Sequence, residues 1–298
     1  MVFLSLIILP FLVPLCSTEI QKLVLGGKNV TDIGQFPHAL YILFTCPGET
    51  GTWLCGGSIL TQNIFLTAAH CMNMQCNMKV EAVAGSEDIG KAKSIIRIID
   101  KYTRHEYFDE QGPSMRNDIA LLAAKVPLPL GRNVKRVVLN RRFPINTTMV
   151  AVAGWGRYSV TSTDWSKNLK YVWQFIKPER YCQKRLGESL WAGQMCASND
   201  VKHYPTIHDS GCALVTKSGH QLGLVSYRIP TAPDVVVYTN ITHFIPWIRK
   251  QARILFCAVS KLPKETNDDD YYGEDPNEEP DKNTLMHKLD TDLNFHDF

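Results

Sequence analysis

Short runs of β-branched and aromatic residues recur along most of the 298-residue chain. Turn residues separate these runs, and no helical pattern alternates with them. Many short strands without intervening helices are typical of an all-β sandwich or barrel. The sequence therefore predicts an all-β domain, whose clearest strands are ALYILF, SIIRIID, MVAVAGW and DVVVYTNI.

The end of this domain departs from the strand pattern. In THFIPWIRKQARILF, apolar positions recur at helical spacing, which predicts a C-terminal helix. The composition then changes sharply, because NDDDYYGEDPNEEPDKN has few core-forming residues and a large acidic excess. Such a segment buries too little apolar surface to offset its conformational entropy. We therefore expect an acidic disordered tail over residues 257–298.

The first residues, MVFLSLIILPFLVPLCST, form a short apolar run that ends in small residues. This pattern predicts a signal peptide over residues 1–18, followed by a short pro-segment over residues 19–22. A membrane anchor is the alternative, but Pro10 and Pro14 interrupt the run, which is also short for a membrane span. We expect a secreted, extracellular protein that is not membrane-bound.

Cysteine and sequon content agree with secretion. Of the nine cysteines, Cys16 would leave with the signal peptide, and the remaining eight are an even number, as in a disulfide framework. Asn-x-Ser/Thr sequons, typical of secreted glycoproteins, occur at Asn29, Asn146 and Asn240.

The formal net charge of +3 conceals a segregation of charge. Residues 258–298 carry twelve acidic side chains and four lysines, so the rest of the chain is strongly basic. No dense Lys/Arg cluster indicates nucleic-acid binding. For the tail, three roles stay open: a solubilising segment, sulfation of Tyr271 and Tyr272 with docking to a protein partner, or folding back onto the basic domain.

Three short segments could carry chemistry. LTAAHC contains His70, NDIALL contains Asp118, and HDSG contains Ser210. With CGGSIL, AGWG, VYT and FIPWI, they resemble the chymotrypsin-like (S1 family) serine proteases over residues 23–256. The resemblance implies two six-stranded antiparallel β-barrels, trypsin-like, with a C-terminal helix and a catalytic cleft between the barrels.

The resemblance also implies a catalytic triad that hydrolyses peptide bonds through an acyl-enzyme. Ser210 would be the nucleophile, His70 the base that takes its proton, and Asp118 the group that orients His70. Proteins or peptides would be the substrates. The remaining histidines lack metal-ligand spacing, so we expect no metal and no cofactor. We also expect a monomer.

The chain departs from the family pattern around the nucleophile. His208 stands where the family has the glycine whose N–H joins that of Ser210 in the oxyanion hole. Glycine accepts backbone angles that other residues resist, so His208 could tilt this peptide. Loss of one oxyanion donor typically costs about 10²–10³ in rate.

The substrate pocket departs further. By the resemblance, Tyr204 forms its floor, Ser226 begins the segment that pairs with the substrate, and Arg228 and Val236 replace two glycines at the mouth and wall. These large side chains would partly fill the pocket and admit only a small residue, or none. The absence of an acidic floor argues against trypsin-like specificity. Thr206 also replaces a cysteine that braces the pocket in the family.

Activation departs as well. The family's new N-terminus pairs with the Asp before the nucleophile, and Asp209 is present. Cleavage after Lys22 frees LVLGG, one residue longer than the family terminus. Either another enzyme cuts after Leu23 or the domain stays zymogen-like, because a buried charge left without its partner costs several kcal/mol.

The resemblance also implies two disulfides, Cys55–Cys71 and Cys182–Cys196. Three pairings of the other four cysteines stay open. Of these we favour Cys46–Cys76, since both lie in loops near His70, which leaves Cys212 to pair with Cys257.

Two hypotheses follow. The first is a secreted serine endopeptidase with an altered, partly filled pocket. The second is a weak or inactive protease homologue that binds proteins through the cleft. The intact triad favours the first; the filled pocket, His208 and the shifted activation site favour the second.

Overall fold

The computed structural model describes residues 27–48, 51–72, 76, 78–109, 114–144, 147–157, 164–199 and 204–261. The expected signal peptide and pro-segment, the sequon at Asn146 and the tail beyond residue 261 lie outside the described residues.

The described residues form fifteen β-strands, two α-helices and two 3₁₀ turns. The strands are β1 (Lys28–Asn29), β2 (Ala39–Thr45), β3 (Thr52–Ile59), β4 (Ile64–Thr67), β5 (Lys79–Ala84), β6 (Ile95–Ile98), β7 (Lys101–Arg104), β8 (Ala120–Ala123), β9 (Val138–Leu139), β10 (Met149–Gly154), β11 (Lys170–Lys177), β12 (Gln194–Ser198), β13 (Ala213–Thr216), β14 (His220–Tyr227) and β15 (Val235–Asn240). The helices are α1 (Glu179–Leu186) and α2 (Ile241–Ser260), and the 3₁₀ turns are Ile33–Gln35 and Ala69–Met72.

The first barrel is a sheet in the order β6-β5-β2-β3-β4-β8-β7. Only two residues separate β6 from β7, and these segments pair with β5 and β8 at opposite edges of the sheet. They act as one bent strand that closes the sheet, so the barrel has six strands, all antiparallel.

The second barrel closes through the pairing of β11 with β12. Its ring is β10-β11-β12-β15-β14-β13, again six antiparallel strands. Two short strands lie outside the ring: β1 pairs with β11, and β9 runs parallel to β14. The two-barrel all-β fold expected from the resemblance is confirmed.

Strand β8 shows how the sequence pattern builds the core. All four residues of this strand, ALLA, are buried. Successive side chains of a strand point to opposite faces. Leu122 packs inside the first barrel, whereas Leu121 packs into the cluster between the barrels, where the rings of Tyr41 and Trp155 meet edge to face at 5.1 Å. The two barrels therefore meet at a packed apolar interface.

Helix α2 begins at a side-chain cap, since Asn240 Oδ1 accepts a hydrogen bond from the Thr242 N–H at 3.1 Å. The helix continues to Ser260, so the tail boundary expected at residue 257 falls inside it. The reason is packing: Val259, one turn after Leu255, is buried. Neither of the two described helices is long and apolar enough to cross a membrane.

Three disulfides are present: Cys46–Cys76, Cys55–Cys71 and Cys182–Cys196. The expected Cys212–Cys257 pair is wrong. Cys212 is buried among the core side chains of the second barrel, whereas Cys257 is exposed on α2. Their positions in the fold, rather than the even cysteine count, decide that they do not pair.

Candidate active site

His70 and Asp118 are joined by two hydrogen bonds. The backbone N–H of His70 donates to Asp118 Oδ1 at 2.9 Å, and His70 Nδ1 lies 2.8 Å from Asp118 Oδ2. His70 lies on the 3₁₀ turn after β4, and Asp118 lies two residues before β8. Since β4 and β8 are neighbours in the first barrel, the sheet itself brings these two side chains together.

The second barrel supports the same carboxylate. The Ser226 hydroxyl donates to Asp118 Oδ2 at 2.6 Å, and the Thr239 hydroxyl donates to the Asp118 carbonyl at 2.7 Å. Burial alone would raise the pKa of Asp118, but the His70 charge and the hydrogen bonds from His70 and Ser226 outweigh it. The net pKa lies below the usual value, so Asp118 stays ionised.

Ser210 lies in the loop before β13, against the first barrel. Its carbonyl accepts a hydrogen bond from the Gly56 N–H at 2.8 Å and lies 3.8 Å from the sulfur of Cys71, the neighbour of His70. The next residue, Gly211, has φ 80°, and a Cβ there would lie 2.3 Å from the Thr67 hydroxyl. The loop can approach His70 this closely only because residue 211 is glycine.

The Ser210 hydroxyl is half-buried and, within the described residues, makes no hydrogen bond to the His70 ring. Hydrogen bonds between nucleophile and base are often long without substrate and tighten when it binds. The His70–Asp118 link is therefore formed, and the Ser210 loop lies against the segment that carries His70, without a Ser210–His70 hydrogen bond among the described residues.

His208 adopts the left-handed backbone conformation that favours glycine, with φ 78°. Its ring Nδ1 lies 3.2 Å from the Leu54 carbonyl, and the ring meets Trp165 edge to face at 5.6 Å. The histidine therefore keeps a glycine-like φ instead of moving the backbone out of this region.

Asp209 is fully buried behind Ser210. Its carboxylate accepts hydrogen bonds from the N–H groups of Gly156 at 2.8 Å and Thr206 at 2.7 Å. Burial raises its pKa to about 6, and the two backbone donors only partly oppose that rise. Among the described residues no cation pairs with Asp209, so this buried carboxylate would attract a positive group placed beside it.

The expected pocket residues come together in the second barrel. Tyr204 and Val236 are buried in the same core cluster. The guanidinium carbon of Arg228 lies 4.3 Å from the centroid of the Tyr204 ring. Ser226, in contrast, turns its hydroxyl to Asp118.

Two contributors escaped sequence reasoning. Thr206 donates its hydroxyl to the Arg157 carbonyl at 2.9 Å and its N–H to Asp209, so hydrogen bonds hold the segment that a disulfide braces in the family. Thr239 supports Asp118 from β15. VYT, which contains Thr239, was recognised as a motif, but its contact with Asp118 spans 121 positions in the chain and leaves no local signal.

A protein-family model described as Trypsin matches residues 25–248. The chain belongs to the trypsin family. Members of this family are serine endopeptidases that act on proteins.

Individual trypsin-family relatives match almost end to end. Granzyme-like protein 2 of Rattus norvegicus is 30% identical over 257 residues, which cover 85% of this chain and 98% of the relative. Duodenase-1 of Bos taurus is 30% identical over 237 residues, which cover 77% of this chain and 89% of the relative. The solved structure described as "Structure of GrC" superposes with a TM-score of 0.68 at 25% identity, over 76% of this chain and 99% of that one.

Chemically, this trypsin-type cleft offers an oriented imidazole, a nearby hydroxyl and an ionised carboxylate. Within the described residues, no three His, Cys, Asp or Glu side chains are grouped so that they could hold a metal ion. The arrangement therefore suits nucleophilic acyl transfer by side chains.

Proposed function

We propose that this protein is a secreted serine endopeptidase that uses His70, Asp118 and Ser210. One observation carries the proposal: the carboxylate of the buried, ionised Asp118 is hydrogen-bonded to both the backbone N–H and the ring Nδ1 of His70. The Ser226 hydroxyl donates a third hydrogen bond to the same carboxylate. A carboxylate so placed fixes the imidazole tautomer and stabilises the imidazolium that forms during catalysis.

In this mechanism, Ser210 Oγ attacks the carbonyl carbon while its proton moves to His70 Nε2. The C–N bond then breaks as His70 returns that proton to the leaving amine, which leaves an acyl-enzyme. Water, deprotonated by His70, releases the acid and restores Ser210. The N–H groups of His208 and Ser210 would receive the oxyanion, and the glycine-like φ of His208 supports that role.

Asp209 supports activation by a new N-terminus. Its buried carboxylate could pair with an ammonium freed by cleavage after Lys22 or Leu23. We propose the organisation expected from the sequence: a signal peptide over residues 1–18, a pro-segment over 19–22 and a protease domain from residue 23. The domain then extends to about residue 260, where α2 ends.

Secretion is supported by the three disulfides, which form and persist in oxidising compartments. Of the described sequons, Asn29 is exposed on β1, whereas Asn240 is 2% exposed and caps α2. We propose Asn29 rather than Asn240 as a glycan acceptor.

The second candidate is a catalytically weak or inactive homologue that binds proteins through the cleft. The stack of Arg228 on the buried Tyr204, in one cluster with Val236, supports it, because the resemblance implies that these side chains stand where a substrate side chain would bind.

Labelling with a fluorophosphonate probe separates the two functions. The full chain and chains cut after Lys22 and after Leu23 are treated in parallel, with Ser210→Ala as the control. We expect labelling of a trimmed chain that Ser210→Ala abolishes, because only an activated serine reacts with the probe. Absence of labelling in all three forms would reject the endopeptidase and favour the binding protein.

A further inference from the structure

Arg228 and Tyr204 form a stacked pair at the pocket. Arg228 directly follows β14 and lies two residues beyond Ser226, whose hydroxyl is bonded to Asp118. Its guanidinium carbon lies 4.3 Å from the Tyr204 ring centroid, within the range of a cation–π contact. The Tyr204 ring is buried with Val236, so this contact fixes the cation over a rigid apolar floor.

Arg228 has no acidic partner among the residues that the structure describes. Among the described residues, no carboxylate lies within ion-pair distance of Arg228. Three buried acidic groups are engaged elsewhere: Asp118 with His70, Asp209 with backbone N–H groups, and Asp234 with Arg185. Glu188 acts electrostatically on Tyr227, the neighbour of Arg228, but forms no ion pair with Arg228 among the described residues. Among the described residues, a half-buried positive charge therefore lies over the Tyr204 ring without a carboxylate to neutralise it.

Stacking leaves the useful donors of Arg228 available. The contact with Tyr204 occupies one face of the planar guanidinium, whereas its N–H groups point outward in the plane. That fork matches the two oxygens of a carboxylate, which forms stronger hydrogen bonds with it than a neutral acceptor does.

We propose that this cleft takes peptides with Asp or Glu directly before the scissile bond, and that Arg228 binds the side-chain carboxylate. The proposal rests on the proposed protease function and names its substrate class. Like charge excludes Lys and Arg from the position, and the buried Tyr204 and Val236 leave no depth for a large apolar side chain. Arg228 is thus a specificity-determining residue.

The first test measures hydrolysis by the trimmed chain. Four peptides are compared that differ only in carrying Asp, Glu, Ala or Lys before the scissile bond. We expect kcat/KM for the acidic peptides to exceed that for the Ala peptide by about 10-fold or more. The free energy of one charge-assisted hydrogen bond corresponds to a factor of about that size. Lys should be the poorest substrate.

Variants locate the effect. Arg228→Gln should lower kcat/KM for the acidic peptides by about 10- to 100-fold and leave the Ala peptide within about 3-fold. Arg228→Lys, which keeps the charge but loses the fork, should fall between. Arg180→Gln, the same charge change at an exposed residue of α1, is the matched control and should match the parent. Equal rates for Asp and Ala peptides, or faster cleavage of all peptides by Arg228→Gln, would mean that Arg228 merely plugs the pocket.

The second test does not require catalysis. In the trimmed Ser210→Ala chain, affinity is measured for acetylated peptides that end in Asp-amide or Asn-amide, with and without Arg228→Gln. Tighter binding of the Asp peptide, lost in Arg228→Gln, supports the pocket assignment; equal affinities overturn it. Fluorophosphonate labelling without acidic preference rejects only this inference. Preferential binding of the Asp peptide without fluorophosphonate labelling rejects the protease function but supports binding of an acidic side chain by Arg228.

Discussion

His208 holds a backbone conformation that its side chain does not favour. At φ 78° a residue with a Cβ suffers steric strain that glycine avoids. The contacts of the ring with the Leu54 carbonyl and with Trp165 offset part of that strain. Residue 208 thus keeps a glycine-like backbone geometry at a cost in stability.

This strain predicts that, at position 208, the Gly variant is more stable than the Ala variant, the reverse of the usual order in a helix. Both His208→Ala and His208→Gly lose the ring contacts, but only Ala keeps the strain. We expect the Gly variant to have the higher free energy of unfolding, by about 1 kcal/mol, measured by denaturant titration.

Lys184, on the exposed side of α1, supplies the control for that ranking. There Lys184→Ala should be more stable than Lys184→Gly by about 1 kcal/mol, the usual order in a helix. The same order at both positions would show that residue 208 carries no strain.

At the scale of elements, α2 shows how packing sets a boundary that composition does not. The acidic composition begins beyond the helix, yet the sequence pattern alone ended the helix at residue 256. One further turn brings Val259 into the core, where it is 2% exposed. The helix therefore ends where its last buried contact ends.

Truncation tests this boundary. A chain ending at residue 256 should have a free energy of unfolding about 2 kcal/mol lower than one ending at residue 261, because it loses the burial of Val259. Thermal and denaturant unfolding would measure the difference. Val259→Ala in the longer chain should reproduce most of it, and indistinguishable stabilities of the two truncated chains would contradict the packing role.

At the scale of the whole molecule, Asp209 is the proposed contact between a newly cut N-terminus and the candidate active site. The described chain enters at β1, which pairs with β11 of the second barrel. Asp209 lies in the same barrel, buried beside Gly156 and Thr206, with its pKa raised to about 6.

The raised pKa of Asp209 predicts a pH dependence with a definite sign. Folding favours the protonated carboxyl, so its contribution to stability is complete below about pH 4 and is lost as pH rises through about 6. Relative to Asp209→Asn, the full chain should lose about 3 kcal/mol of unfolding free energy over this range. Denaturant titrations at several pH values would measure it.

Trimming gives the matching control. If the new ammonium pairs with Asp209, that carboxylate is favoured in its charged form, and the loss of stability between pH 4 and 6 should disappear. Parallel pH curves for the full chain and Asp209→Asn would instead show that Asp209 titrates normally. Retention of the loss after both cuts would argue against activation by a new N-terminus.

The sequence predicted much of the candidate site because the motifs around His70, Asp118 and Ser210 are local strings. It proposed Tyr204, Arg228 and Val236 as pocket residues, which stays a prediction, but not the stack of Arg228 on Tyr204, which joins residues 24 positions apart. It paired Cys212 with Cys257 by elimination, whereas burial of Cys212 in the second barrel prevents that pair. It also treated Asn240 as a sequon, although this side chain caps α2.

The sequence by itself determined the all-β class, because the runs of β-branched and aromatic residues that indicate strands are consecutive in the chain. Its short motifs determined the family resemblance, which implied the two barrels and the candidate reacting residues. Only the tertiary structure decided which side chains support Asp118, which ring Arg228 stacks on and which cysteines remain apart. Those outcomes depend on contacts between residues that are not neighbours in the chain. A hydroxyl such as that of Thr239 acquires its role only when folding brings it 2.7 Å from the Asp118 carbonyl.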